Sequence, residues 1–149
     1  MVGLVTEIKE PPRRVILAED NETDVFFVER AVKKLGLSWK LEVAHDGQEA
    51  IELLSRLDGE AQGQAAPEAR PSLVLLDLKM PRRSGFDVLA WLNGKPQLND
   101  VPVVVLTTSA EESDEADALA MGANFFETKP YSVEGYVKLV RKVHQHWLE

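Results

Sequence analysis

The stretch "VLLDLKMP", Val74–Pro81, is an aliphatic run that ends in one carboxylate, Asp77, with a proline four residues later. A nearly continuous apolar run suits a parallel strand covered on both faces better than the alternating pattern of a half-exposed one. It is one of five such runs along the chain: "RVILA" at Arg14–Ala18, "KLEVA" at Lys40–Ala44, "LVLLD" at Leu73–Asp77, "VPVVVL" at Val101–Leu106 and "ANFFE" at Ala123–Glu127. Between them apolar residues recur at helical spacing: Val25, Val28, Val32 and Leu35; Ala50, Leu53, Leu54 and Leu57; and Val133, Val137 and Val140 with His144 or Trp147. Asp46-Gly-Gln-Glu49 and Ser109-Ala-Glu-Glu112 each place a capping side chain three residues before a glutamate, and Ser84-Gly-Phe-Asp87 is a weaker version. Gly36, Gly94 and Gly122 stand where a left-handed residue would end a helix.

Five strand-then-helix units predict an α/β fold, a doubly wound five-stranded parallel sheet with right-handed crossovers and helices on both faces. Residues 1–12 read as a flexible tail, 13–149 as one domain, and the segment 58–71, rich in Ala, Gln and Gly, as an extended loop. The chain of 149 residues is 44% hydrophobic and 28% charged, ordinary for a single domain. Absence of cysteine excludes disulfides, thiolate metal sites and cysteine nucleophiles. A net charge of −8 with scattered basic residues argues against nucleic-acid or membrane-surface binding. With no signal peptide and no apolar run near the ~20 residues of a membrane helix, a cytoplasmic location is expected.

Ligands of such sheets sit outside the carboxyl ends of the strands. There the first strand ends in Glu19-Asp20, the third in Asp77, the fourth in Thr107-Thr108 and the fifth in Glu127-Thr128-Lys129. Like charges ~4 Å apart repel by about 4 kcal/mol at an effective dielectric near 20, so converging acids call for a counterion. Mg²⁺ suits an oxygen-only set that leaves room for water and a phosphate oxygen. A carboxylate beside that cation can act as a nucleophile toward phosphorus, with Lys129 neutralising phosphoryl charge and the Thr107 hydroxyl donating to it.

The motifs "ILAEDN", "LLDLKMPRRSG", "VPVVVLTTS" and "ETKP", in this order and at these intervals, resemble the receiver domains of two-component response regulators, from about Arg13 to the C-terminus. The resemblance implies a (βα)5 flavodoxin-like fold with strand order 2-1-3-4-5, and phosphoryl transfer from a sensor histidine kinase. It implies that Asp77 is the phosphoacceptor and that Glu19, Asp20, Asp77 and the backbone carbonyl of Lys79 hold Mg²⁺. It makes Thr107 and Lys129 the groups that engage the phosphoryl, and the Lys129–Pro130 bond cis. The aromatic switch position, often tyrosine, falls on Phe126, which lacks a hydroxyl. The Lys79 side chain, beside the pocket, is a candidate shield for the acyl phosphate.

Within the family the chain looks most like small stand-alone regulators paired with phytochrome-type histidine kinases, with no output domain. Such regulators often form homodimers through the last helix, which makes Tyr136, Leu139, Val143, Trp147 and Leu148 candidate contacts. Two other readings stay open: a receiver-like binding scaffold that is not phosphorylated, and an aspartyl-phosphate phosphohydrolase. The latter usually needs a second aspartate two residues after the nucleophile, where this chain has Lys79. His45, His144 and His146 form no metal-binding pattern and read as surface residues.

Overall fold

The structure, a computed structural model, describes residues 12–62, 70–108 and 111–149. Its strands are β1 (Arg13–Ala18), β2 (Trp39–Ala44), β3 (Leu73–Leu76), β4 (Val103–Thr107) and β5 (Phe125–Thr128). They form one sheet in the order β2-β1-β3-β4-β5, with all four pairings parallel, as the alternation of strand and helix predicts. The helices are α1 (Glu22–Lys34), α2 (Gly47–Gln62), α3 (Gly85–Asn93), α4 (Glu112–Ala120) and α5 (Val133–Val143), and the chain continues into a π-helical turn, His144–Leu148.

The near-continuous strands divide their side chains between two cores. Ile16, Ala18, Val74, Leu76, Val103 and Val105 pack with Ala50, Leu54 and Leu57 of α2, Val88, Leu89 and Leu92 of α3 and Ala118 of α4. Val15, Leu17, Leu73, Leu75, Val104 and Leu106 pack with Val28, Ala31 and Val32 of α1 and Tyr136, Leu139, Val140 and Val143 of α5. Alternation along each strand sends consecutive residues to opposite faces, so a strand buried on both sides must be apolar throughout.

The helix termini refine the expectations. Asn21 caps α1, its side chain accepting from Asp24 N at 3.0 Å. Asp46 caps α2 by accepting from Glu49 N at 2.8 Å, but the Glu49 carboxylate takes the amide of His45 instead of that of Asp46. Ser84 and Asp87 form a full reciprocal box at α3. At α4 the cap is Glu111, and Ser109 lies outside the described residues. Gly36 and Gly122 are left-handed at φ 64° and 106°, whereas Gly94 caps α3 at φ −86°.

Two further expectations are corrected. The loop expected at 58–71 begins later, since α2 runs on to Gln62; the alanine, glutamate and glutamine there favour helix, and one glycine near a helix end costs only about 1 kcal/mol. The rest of that loop, 63–69, and the tail up to residue 11 lie outside the described residues. Among the described residues no peptide bond is cis, so Lys129–Pro130 is trans, a state separated from cis by only about 0.5–1 kcal/mol for a proline bond.

His144 is buried, not a surface residue: its Nδ1 accepts a hydrogen bond from Trp39 Nε1 at 2.9 Å, tying the last turn to β2. No described helix is long and apolar enough to cross a membrane.

The segment after β3 is shaped by close approach. Gly85 N donates to Leu78 O at 2.9 Å, and a Cβ at Gly85 would overlap the Asp77 carbonyl and lie 2.8 Å from Leu78 Cα. Gly85→Ala should therefore destabilise the fold by about 2 kcal/mol through overpacking against the backbone that carries Asp77. Gly94→Ala, where the nearest atom is 3.6 Å away, should leave stability nearly unchanged. Urea unfolding of the two variants checks the contrast, and equal midpoints would contradict the close-packing account.

Candidate functional site

The strand order decides which chain segments meet. Glu19 follows β1, Asp77 follows β3, Thr107 ends β4, and Lys129 follows β5, all at the carboxyl edge of the sheet. Backbone bonds hold each in place: Glu19 N to Ala44 O at 2.9 Å, Asp77 N to Ala18 O at 3.0 Å, and Lys129 N to Thr107 O at 2.9 Å. Glu19, Asp77, Thr107 and Lys129 are all buried, whereas Asp20 is exposed.

Lys129 organises this edge. Its Nζ lies 2.7 Å from Glu19 Oε1, 2.9 Å from Asp24 Oδ2 and 3.1 Å from Asp77 Oδ2. A buried ammonium loses its hydration and needs close anionic partners to remain charged. Burial acts to lower its pKa, but the hydrogen bonds to Glu19 and Asp24 and the charge of Asp77 outweigh that, holding the ammonium above its ordinary range. The carboxylates are tied in turn: Glu19 Oε2 accepts from Asn21 N at 3.1 Å, and Asp77 Oδ1 accepts from Lys79 N at 3.3 Å.

Glu19, Asp20 and Asp77 offer carboxylate oxygens within 4.8 Å of one another. Hard oxygen donors, an excess of negative charge over the Lys129 ammonium, the one in contact with them among the described residues, and an exposed Asp20 that leaves one side open to water fit a small divalent cation. These acids are the ones expected from the sequence, and the fold brings them together with Lys129.

The sequence reading missed Asp24. It occupies the third position of α1, where an acid would ordinarily reach back to the cap amide, but that amide bonds to Glu19. The Asp24 carboxylate is thereby free to turn inward to Lys129 and to accept the Tyr136 hydroxyl at 2.9 Å. An acid in the first turn of the helix that leaves a site-bearing strand was the available signal.

The structure places the expected dimer contacts as follows. Tyr136, Leu139, Val143 and Leu148 are buried within the chain's own core, because helix spacing directs them at the sheet. Trp147 is half-buried, packed against the same core with its ring 4.5 Å from that of His146. Phe126 is half-buried on the opposite face of the sheet, and the Lys79 side chain is exposed.

A second ion pair braces the loop after Asp77. Arg82, at φ 65°, donates from Nε to Asp46 Oδ2 at 2.8 Å, so the loop is clamped to the start of α2. The hydrogen bond from Arg82 holds the Asp46 carboxyl below its ordinary value.

Burial pushes the Glu19 carboxyl up to about 7; the hydrogen bond from Lys129 opposes the rise and the charge of Asp77 adds to it. Glu19 thus binds its proton more tightly in the fold than in the unfolded chain, so its contribution to stability is complete below pH 4.5 and lost as the pH rises through about 7. With divalent cations chelated, the urea midpoint should fall across that window, and Glu19→Gln should flatten the decline. Equal slopes in both proteins would assign the pH dependence to other groups.

Comparison with known proteins agrees with this geometry. Residues 15–141 match the family model described as the response regulator receiver domain. The chain is 32% identical over 145 residues to response regulator Rcp1 of Synechocystis sp., covering 97% of this chain and 95% of that protein. The solved structure of the phosphorylated cyanobacterial phytochrome response regulator RcpA superposes with a TM-score of 0.79 at 30% identity, covering 93% of this chain and 96% of the other. The Mn²⁺-bound form of response regulator Rcp1 gives 0.77 at 31% identity, with coverage of 93% and 96%. With its parallel sheet, its acidic edge and its buried lysine, the chain belongs to the response regulator receiver domain family.

Proposed function

We propose that Asp77 accepts a phosphoryl group from a sensor histidine kinase in a Mg²⁺-dependent reaction, and that the new charge is passed on as a conformational change read by a protein partner. The observation that carries this reading is the buried Asp77 carboxylate, 3.1 Å from the Lys129 ammonium and grouped with Glu19 and Asp20. In the transfer a carboxylate oxygen of Asp77 attacks phosphorus. The phosphorus–nitrogen bond of a phosphohistidine breaks, the imidazole nitrogen leaves with the bonding pair and takes up a proton, and an acyl phosphate forms. Water later releases inorganic phosphate and restores Asp77.

Glu19, Asp20, Asp77 and the Lys79 carbonyl would hold Mg²⁺, which supplies charge neutralisation for the phosphoryl oxygens. Lys129, whose ammonium the neighbouring acids hold above its ordinary range, would pair with the phosphoryl group. Thr107, ending the strand beside β3, is the hydroxyl proposed to close on the same group. Added phosphate charge of roughly −1.5 to −2 shifts the population toward a state in which Thr107, Phe126 and the last two helices rearrange. The relatives described as a phytochrome response regulator and its kin support a phytochrome-type kinase as the donor. A phosphohydrolase is disfavoured, since an exposed lysine stands where its acid–base aspartate belongs.

Incubation with Mg²⁺ and acetyl phosphate should add one phosphate to the wild type by intact mass, and none to Asp77→Asn or in the presence of a chelator. If the wild type gains no phosphate from acetyl phosphate or from a phytochrome-type kinase, a binding scaffold becomes the better reading. Steady release of phosphate from a small phosphoester would favour the hydrolase. Lys79→Ala should shorten the acyl-phosphate lifetime if the lysine side chain screens the pocket from water; an unchanged hydrolysis rate would remove the shield from the mechanism.

A further inference from the structure

Tyr136 is the largest fully buried side chain among the described residues, yet its polar end does not stop in the apolar core. Its hydroxyl donates to Asp24 Oδ1 at 2.9 Å, and Asp24 Oδ2 accepts from Lys129 Nζ at 2.9 Å. A hydrogen-bonded chain therefore runs from α5 through α1 to the ammonium that touches Asp77. Phenylalanine would fill nearly the same volume, and burying a hydroxyl without a partner is costly, so a tyrosine here depends on Asp24 as its acceptor. The Tyr136 ring packs against Phe27 with centroids 5.5 Å apart, which fixes the direction of the hydroxyl. Burial and the hydrogen bond to Asp24 both hold the phenol protonated, so it remains a donor.

We infer that Asp24 and Tyr136 are a positioning pair that sets how firmly Lys129 is held back from an anionic group on Asp77, and that through them α5 registers the arrival of that group. The inference rests on the reading of Asp77 as a phosphoacceptor. Asp24 competes with phosphoryl oxygens for the same ammonium. When Lys129 turns to the new anion, Asp24 loses its cationic partner and retains Tyr136, so the hydrogen bond at α5 must strengthen or rearrange. Phe126 has no hydroxyl with which to make a polar link of this kind.

The test uses the full chain with Mg²⁺ and beryllofluoride, an anion that mimics a phosphoryl group on a carboxylate. Asp24→Asn keeps an acceptor for Tyr136 but removes one of the two charges, with Glu19, that hold Lys129 beside Asp77, so beryllofluoride should bind about threefold tighter or more. Tyr136→Phe removes the bond that shares the Asp24 charge, so Lys129 is held harder and the affinity should fall by about threefold or more. A merely structural role would move both variants the same way, and shifts in the same direction, or none, overturn the inference.

A second measurement needs no anion. In urea unfolding of the ligand-free protein, Tyr136→Phe and Lys129→Gln should be non-additive by about threefold or more in the unfolding constant, because Asp24 joins them. Additivity would overturn the pairing. Failure of the wild type to bind beryllofluoride would sink the phosphoacceptor reading and the α5 readout with it, while the ligand-free cycle still decides the pairing.

Discussion

The carboxyl edge of this protein depends on one buried ammonium. Lys129 leaves the outer strand β5, and its long side chain passes the end of β4 to reach acids that follow β3 and β1. Acids clustered this closely repel one another, and a buried ammonium is costly alone, so each stabilises the ionised form of the other. The arrangement is balanced only in part. The acids outnumber the ammonium, and burial still pushes Glu19 well above its ordinary value. That surplus of negative charge is the electrostatic basis of the proposed dication site and of the proposed response to a new charge on Asp77.

The sheet gives this charged cluster its rigidity. Because the central strands are covered on both faces, they are apolar from Val15, Leu73 and Val103 onward, and polar side chains follow where the strands end. The two faces then divide the work. α1 and α5 share one core, which is why a first-turn acid of α1 and a buried tyrosine of α5 can meet behind Lys129. The other face carries Phe126 and the α2 and α3 caps. There the loop after Asp77 is clamped by Arg82 to Asp46 and pressed against Gly85. Asp77 is thus braced from two directions by unrelated contacts.

Much of this was legible in the chain. Aliphatic runs at regular intervals, each followed by a helical pattern, require a parallel sheet, and a parallel sheet puts the strand-end acids together. Glu19, Asp20, Asp77 and Thr107 stand out because they are polar residues at the ends of continuous apolar runs, and Lys129 because it is the basic residue that follows the last of the five strands. Asp24 did not stand out, since an acid in a helix's first turn is common for reasons of capping and dipole alone. The surroundings of Tyr136 and His144 were hidden for a related cause. An apolar stripe at helical spacing says that one face is covered, not whether the cover is the protein's own sheet or a second copy, and a histidine near the chain's end carries no mark of its burial against Trp39.

The sequence by itself determined the class of fold, the order of its elements and which polar residues stand at the strand ends, because these follow from local periodicity and from the steric rules of parallel sheets. Only the tertiary structure decided the partners of Lys129, the inward turn of Asp24, the attachment of Tyr136 to it and the bracing of the Asp77 loop. Each of these joins residues far apart in the chain through a side-chain direction and a distance of about 3 Å. Hydrogen bonds and ion pairs of this kind depend on where packed elements place their ends, and no local pattern of residues encodes that placement.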